Sequence, residues 1–167
     1  MKYLITGISA AGKTTMAVLL RKQGHTTYDG DRISGLGHWV DSSAKPVKVP
    51  PRLTVDWMRR HYWNWEQEQV DRLLKSDATV FICGTSSNIK DFYPLFDKVF
   101  FLSISQETLK KRLDSRSSGF GKFKQEKVMA LEWHDWFEGH HKALATTVID
   151  ANLPKQIVLK QILDQLA

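Results

Sequence analysis

A chain of 167 residues is long enough for one compact domain and too short for two ordinary ones. Its 42% hydrophobic and 25% charged residues exclude a disordered or fibrous chain, and no run approaches the ~20 apolar residues that a membrane helix needs. The net charge of +6, from 24 basic and 18 acidic residues, favours anionic partners and leaves phosphorylated metabolites and nucleic acid both open.

The apolar run from Lys2 to Thr6 begins one residue after Met1 and leads straight into a glycine loop. With no room there for a cleaved signal, a cytoplasmic location is expected. Lys13 to Gln23, with apolar Met16, Ala17, Leu19 and Leu20, reads as a helix ended by Gly24. His25 to Tyr28 is a second β-rich run, closing on Asp29-Gly30-Asp31. Residues 32 to 50 have weak periodicity and read as loop and short helix. From Pro51 to about Ser76, Leu53, Trp57, Met58, Tyr62, Trp65, Val70, Leu73 and Leu74 predict one long helix or two joined. Thr79 to Cys83 and Lys98 to Leu102 are runs of strand length, whereas Gln106 to Arg116 and Lys124 to Ala143 read as helices. Thr147 to Ile149 is the last strand and Pro154 to Leu166 the last helix. Strands alternating with helices indicate an α/β fold with a parallel sheet covered on both faces, in a single domain.

The loop Gly7-Ile8-Ser9-Ala10-Ala11-Gly12-Lys13-Thr14 matches the phosphate-binding pattern G-x-x-x-x-G-K-[ST], with a strand before it and a helix after it. Its glycines let the backbone wrap an anion, its N–H groups point inward, and the helix N-terminus adds a positive dipole end. Lys13 is expected to reach the β- and γ-phosphates of ATP, the Thr14 hydroxyl to ligate Mg²⁺, and Thr15 to extend the nucleotide contact.

Further segments resemble the small P-loop kinases of the adenylate, shikimate, gluconate and adenylylsulfate kinase type. Asp29-Gly30-Asp31 is similar to the Asp-Gly-Asp at the end of the second strand in gluconate and adenylylsulfate kinases. The resemblance implies an aspartate facing the acceptor hydroxyl, with Asp31 preferred over Asp29; a solvated Asp-Gly turn is the alternative. Arg112-Leu-Asp-Ser-Arg116, followed by Ser117-Ser118-Gly119-Phe120-Gly121, resembles the helix entering the mobile lid. Two arginines four apart on one helical face would straddle the transferring phosphoryl group; a solvated basic face is the alternative. Val80 to Cys83 with Gly84 to Asn88 resembles the third strand and substrate loop, which implicates Gly84 and Thr85 in acceptor binding. A Walker B aspartate is missing there, so the metal falls to Thr14, phosphates, water and Asp29 or Asp31. Val148 to Pro154 is similar to the turn beside adenine, making Asn152 a nucleotide-contact candidate. As a whole the resemblance implies a three-layer P-loop fold with a five-stranded parallel sheet in the order 2-3-1-4-5. It also implies a helical acceptor-covering insert over about 32–76 and a lid over about 117–124.

Trp39 and Arg59 are acceptor-site candidates; most other aromatics, Trp57, Tyr62, Trp63 and Trp65 included, read as core. His134, His140 and His141 fit no metal-ligand spacing and read as solvated or packing residues. Cys83 reads as a small buried hydrophobe. The expected function is a phosphotransferase moving the γ-phosphoryl group of Mg-ATP to a hydroxyl or phosphate of a small molecule. The alternatives are a nucleoside, nucleotide or polynucleotide kinase, and a nucleotide-binding regulator without transfer activity; nucleic acid is a possible but unfavoured partner, and no membrane partner is expected.

Overall fold

The computed structural model of the chain describes residues 1–75 and 78–166. Five parallel strands form the main sheet: β1 (Lys2–Thr6), β2 (Thr26–Asp29), β5 (Val80–Cys83), β6 (Lys98–Ser103) and β7 (Thr147–Asp150). Their spatial order is β2-β5-β1-β6-β7. Numbering only these five in chain order gives 2-3-1-4-5, the expected arrangement with β1 central.

A central parallel strand is buried on both faces, which explains why β1 and β5 read as unbroken apolar runs. Side chains alternate across the sheet. Tyr3, Ile5, Phe81, Cys83, Phe100 and Leu102 pack on one face beneath the helices α1 (Lys13–Lys22), α4 (Gln106–Asp114), α5 (Lys124–Lys142) and α6 (Lys155–Leu163). Leu4, Val80, Ile82 and Val99 face the other side, against Trp65, Phe92 and the helix α3 (Gln67–Leu74). Cys83 is fully buried, and burial pushes its thiol far up, as befits an inert core residue.

The insert departs from the expected helices. It holds a short helix, α2 (Val55–Met58), and an antiparallel pair made of β3 (Gly37–Val40) and β4 (Tyr62–Trp65). The register sets Gly37 opposite Trp65 and Trp39 opposite Trp63. Trp39 is therefore a strand residue rather than a loop residue, and Pro51 lies outside any helix. The error has a physical source: Leu53, Trp57, Met58 and Tyr62 fall at helical spacing, but Tyr62 to Trp65 is aromatic-rich and meets a partner strand more than 20 residues away. Of the helix expected in this stretch, α2 and α3 remain as separate pieces with β4 between them, and Ser76 lies outside the described residues.

Hydrogen bonds lock the insert onto the end of β5. The Asn88 side-chain oxygen accepts from the Trp65 N–H at 2.9 Å while its amide donates to the Trp65 carbonyl at 3.0 Å. The Ser87 N–H donates to the Trp63 carbonyl at 2.6 Å. The Trp65 indole lies so close to Gly30 and Gly84 that a Cβ on either would sit 2.7 or 2.5 Å from its ring. Both the Asp29-Gly30-Asp31 turn and the loop after β5 thus rest on one buried tryptophan. Among the described residues, no helix is long and apolar enough to cross a membrane.

Candidate active site

The phosphate loop takes the shape its glycines allow. Gly7 has φ 151° and Gly12 φ 110°, both in the region that L side chains avoid, and a Cβ on Gly7 would lie 2.8 Å from the Leu102 carbonyl oxygen. Ala10 at φ 65° completes a chain reversal that lays the loop over the N-terminus of α1. A cavity of about 240 Å³ opens above it, lined by Ser9, Ala10, Gly12, Lys13, Thr14 and Thr15 from the loop and by Asp31, Arg112 and Arg116 from elsewhere.

Lys13 is buried, and its ammonium donates to the carbonyls of Gly7 and Ile8, each at 2.8 Å. Burial lowers its pKa from 10.5 to about 8; Asp31 and Asp29 oppose the shift and Arg116 adds to it. At neutral pH the lysine is still mostly charged, and opposite charge entering the cavity would raise its pKa again.

Asp29 ends β2 and is buried, accepting from the Asp31 N–H at 3.3 Å and facing Arg32 at 3.5 Å. It does not line the cavity. Its role is to shape the turn, and that turn puts the exposed carboxylate of Asp31 at the rim of the phosphate loop.

The two arginines part company. Arg112, on α4, donates to the carbonyls of Ala10 and Ala11 at 3.2 Å each and of Ala151 at 2.6 Å. Its guanidinium touches the cavity but is spent on tying the phosphate loop to the turn after β7. Arg116 lies beyond the end of α4, donating to the Ser118 carbonyl at 2.8 Å and the Ser9 hydroxyl at 3.3 Å. The shared helical face expected for the pair is therefore not formed. α4 stops at Asp114, and Arg116 turns with the connecting segment.

A second cavity, of about 1060 Å³, adjoins the first and shares Ser9, Lys13, Thr14, Asp31 and Arg116 with it. Trp39, Arg59 and Thr85 line it. Gly84 is buried beneath Trp65 and contributes no surface there. Asn152 stands apart from both cavities: its side chain donates to Asp150 at 2.8 Å and accepts from the Ser105 N–H at 2.9 Å. Ser118 and Phe120, from the segment read as a lid, also line the large cavity, as do Glu132, Trp133, Trp136 and Phe137 on α5, which the sequence reading did not offer as site residues. A signal was present, because positions 133, 136 and 137 share one helical face. His134 and His141 are buried packing residues, and no group of three metal-ligating side chains exists among the described residues.

Comparison with known proteins follows the same lines. A family model described as an AAA domain matches residues 4–129, most of the chain. The chain belongs to this AAA domain family. No curated protein matches it. Among solved structures, the domain is similar to deoxyadenosine kinase from M. mycoides with bound dATP, at 18% identity and TM-score 0.58, covering 99% of this chain and 98% of that one. It is also similar to shikimate kinase from Bacteroides thetaiotaomicron, at 15% identity, TM-score 0.58 and coverage of 98% and 97%. A gluconokinase from Sinorhizobium meliloti follows at 18% identity and TM-score 0.56, with 98% of this chain and 89% of that one covered. This AAA-family domain thus has the fold of the small P-loop kinases.

Proposed function

We propose that this protein transfers the γ-phosphoryl group of Mg-ATP to a hydroxyl or phosphate of a small-molecule acceptor. One observation carries the proposal: the phosphate cradle and the larger cavity meet across Lys13, Thr14, Asp31 and Arg116. A nucleotide in the first and an acceptor in the second would face each other at that seam.

The chain's own groups suit the reaction. Lys13 leaves the Gly7 and Ile8 carbonyls to bridge the β- and γ-phosphates, and Arg116 places charge where it builds up on the moving group. An acceptor oxygen forms a bond to the γ-phosphorus as the bond from that phosphorus to the β–γ bridging oxygen breaks; ADP departs, and the hydroxyl proton passes to Asp31. The Thr14 hydroxyl lines the phosphate cavity and, with phosphate oxygens of the nucleotide, would supply hard oxygen ligands that fit Mg²⁺. When bound, the ion would neutralise charge on the phosphate oxygens. The Ser-Gly-rich segment between α4 and α5 would act as a lid that excludes water.

Incubating the protein with γ-labelled ATP and a panel of alcohols, sugar acids, nucleosides and nucleoside monophosphates tests this. Label transferred to one acceptor class supports a kinase. Tight ATP binding with no transfer to any acceptor and no hydrolysis supports a regulator instead.

A further inference from the structure

The larger cavity has a polarity that selects among acceptors, if the acceptor sits there as proposed above. Away from the phosphate loop it is walled by aromatic rings from two separate elements, Trp39 and Trp63 from the β3–β4 pair and Trp133, Trp136 and Phe137 from α5. Several rings are held in place by others. Trp39 packs edge-on against Trp63 at 5.8 Å and Trp57 at 5.0 Å, and Phe120 stacks on Trp133 at 5.9 Å with planes 12° apart. Trp136 also lines the cavity; it is 52% exposed, stacked on His140 at 5.1 Å with planes 13° apart and edge-on to Phe137 at 5.5 Å.

The cation nearest these rings carries a carboxylate beside it. Arg59 donates to both Glu132 oxygens, at 2.8 and 3.3 Å, so the pair is neutral. Arg32 stands 3.5 Å from Asp29, at the Asp29-Gly30-Asp31 turn, with its side chain 74% exposed, and the His61 Nδ1 is held on the Trp57 carbonyl at 2.7 Å. Among the lining residues, Lys13 and Arg116 supply positive charge only at the phosphate end, where the triphosphate needs it. A carboxylated sugar or a phosphate-bearing acceptor would therefore meet the Glu132 carboxylate together with the Arg59 guanidinium beside the rings. One polar group does await a partner: the Thr85 hydroxyl is buried in the cavity wall without a hydrogen bond.

We infer that the acceptor is an uncharged molecule joining a planar aromatic or heteroaromatic ring system to a hydroxyl. The ring lies among Trp39, Trp63, Trp133 and Trp136, the Arg59–Glu132 pair offers donors and acceptors to ring heteroatoms, and the Thr85 hydroxyl bonds the polar end directed to Asp31. Its volume of about 1060 Å³ is at the upper limit of small-molecule pockets, ample for a bicyclic ring with a hydroxylated substituent.

Calorimetry and tryptophan fluorescence on the whole protein, with Mg²⁺ and a non-hydrolysable ATP analogue, test this with four probes. Adenosine and 2-naphthylmethanol should quench the fluorescence and bind at least tenfold more tightly than gluconate or shikimate. Trp136→Ala, at an exposed position, should weaken both aromatic probes by about fivefold to a hundredfold. Trp136→Phe should restore most of that loss, and neither change should alter affinity for the ATP analogue. Equal or tighter binding of gluconate or shikimate, or unchanged aromatic affinity in Trp136→Ala, would overturn the inference. In a parallel assay with ATP in place of the analogue, phosphoryl transfer to gluconate would end it while leaving the kinase function standing. Tight adenosine or naphthylmethanol binding without any ATP turnover would end the kinase reading and leave the aromatic site standing.

Discussion

Lys13 provides the sharpest quantitative test, because its charge depends on what fills the cradle. In the ligand-free fold burial holds its pKa at about 8, against 10.5 for a free lysine. A triphosphate placed over the loop brings opposite charge to the ammonium and should return the pKa at least to the free value. The terminal phosphate of ATP, with a second pKa near 6, is already fully ionised above pH 8 and adds no slope of its own there. Linkage then requires triphosphate affinity to fall as pH rises through 8, by about tenfold between pH 7 and pH 9. About 0.9 proton should be taken up per nucleotide bound at pH 9. Titration calorimetry in two buffers of different ionisation enthalpy measures that uptake directly. Lys13→Ala should weaken binding about ten- to a hundredfold at pH 7, the range for a charge-assisted hydrogen bond, and should abolish the proton uptake. A wild-type affinity that is flat from pH 7 to 9, or an equal slope in Lys13→Ala, would refute the reasoning. The same shift predicts stability. The folded pKa lies below the unfolded one, so the ligand-free fold binds fewer protons than the unfolded chain between about pH 8 and 10.5, and this group makes the fold more stable as pH rises across that window.

Asp31→Asn keeps the side-chain shape and removes the base, so transfer to a hydroxyl acceptor should fall about 10²- to 10⁴-fold in a steady-state assay while ATP affinity holds; full activity would shift the role to water or Asp29. Arg116→Ala should lower kcat more than it weakens ATP binding, since its interaction is strongest in the transition state. Arg112→Ala should act differently. It strips three carbonyls of a shared donor, so thermal denaturation should show a loss of about 2–4 kcal/mol, and Arg112→Lys should recover little because an ammonium lacks the planar fork.

Local signals carried much of this protein. The phosphate loop is written in its own residues, because positive φ at Gly7 and Gly12 is a property of single positions and the helix after it starts where the loop ends. The buried strands announced themselves as short apolar runs, since a strand covered on both faces needs no alternation. The order of those strands came from resemblance, and the structure has the same order. What the tertiary structure alone decided are the features made by meetings between distant segments. Tyr62 to Trp65 became a strand because Gly37 to Val40 pairs with it, and no local propensity records a partner more than 20 residues away. Arg112 joined the loop to Ala151 across 39 residues, whereas Arg116, bonded to Ser9 and Ser118, stands with Lys13 at the seam, a division that identical side chains cannot reveal by type. Asn152 went to Asp150 and Ser105 rather than to a cavity, and α5 turned a face of tryptophan and phenylalanine toward the insert. Amphipathic spacing shows that a helix has an apolar face; only the packing of the whole chain decides whether that face closes a core or walls a binding site.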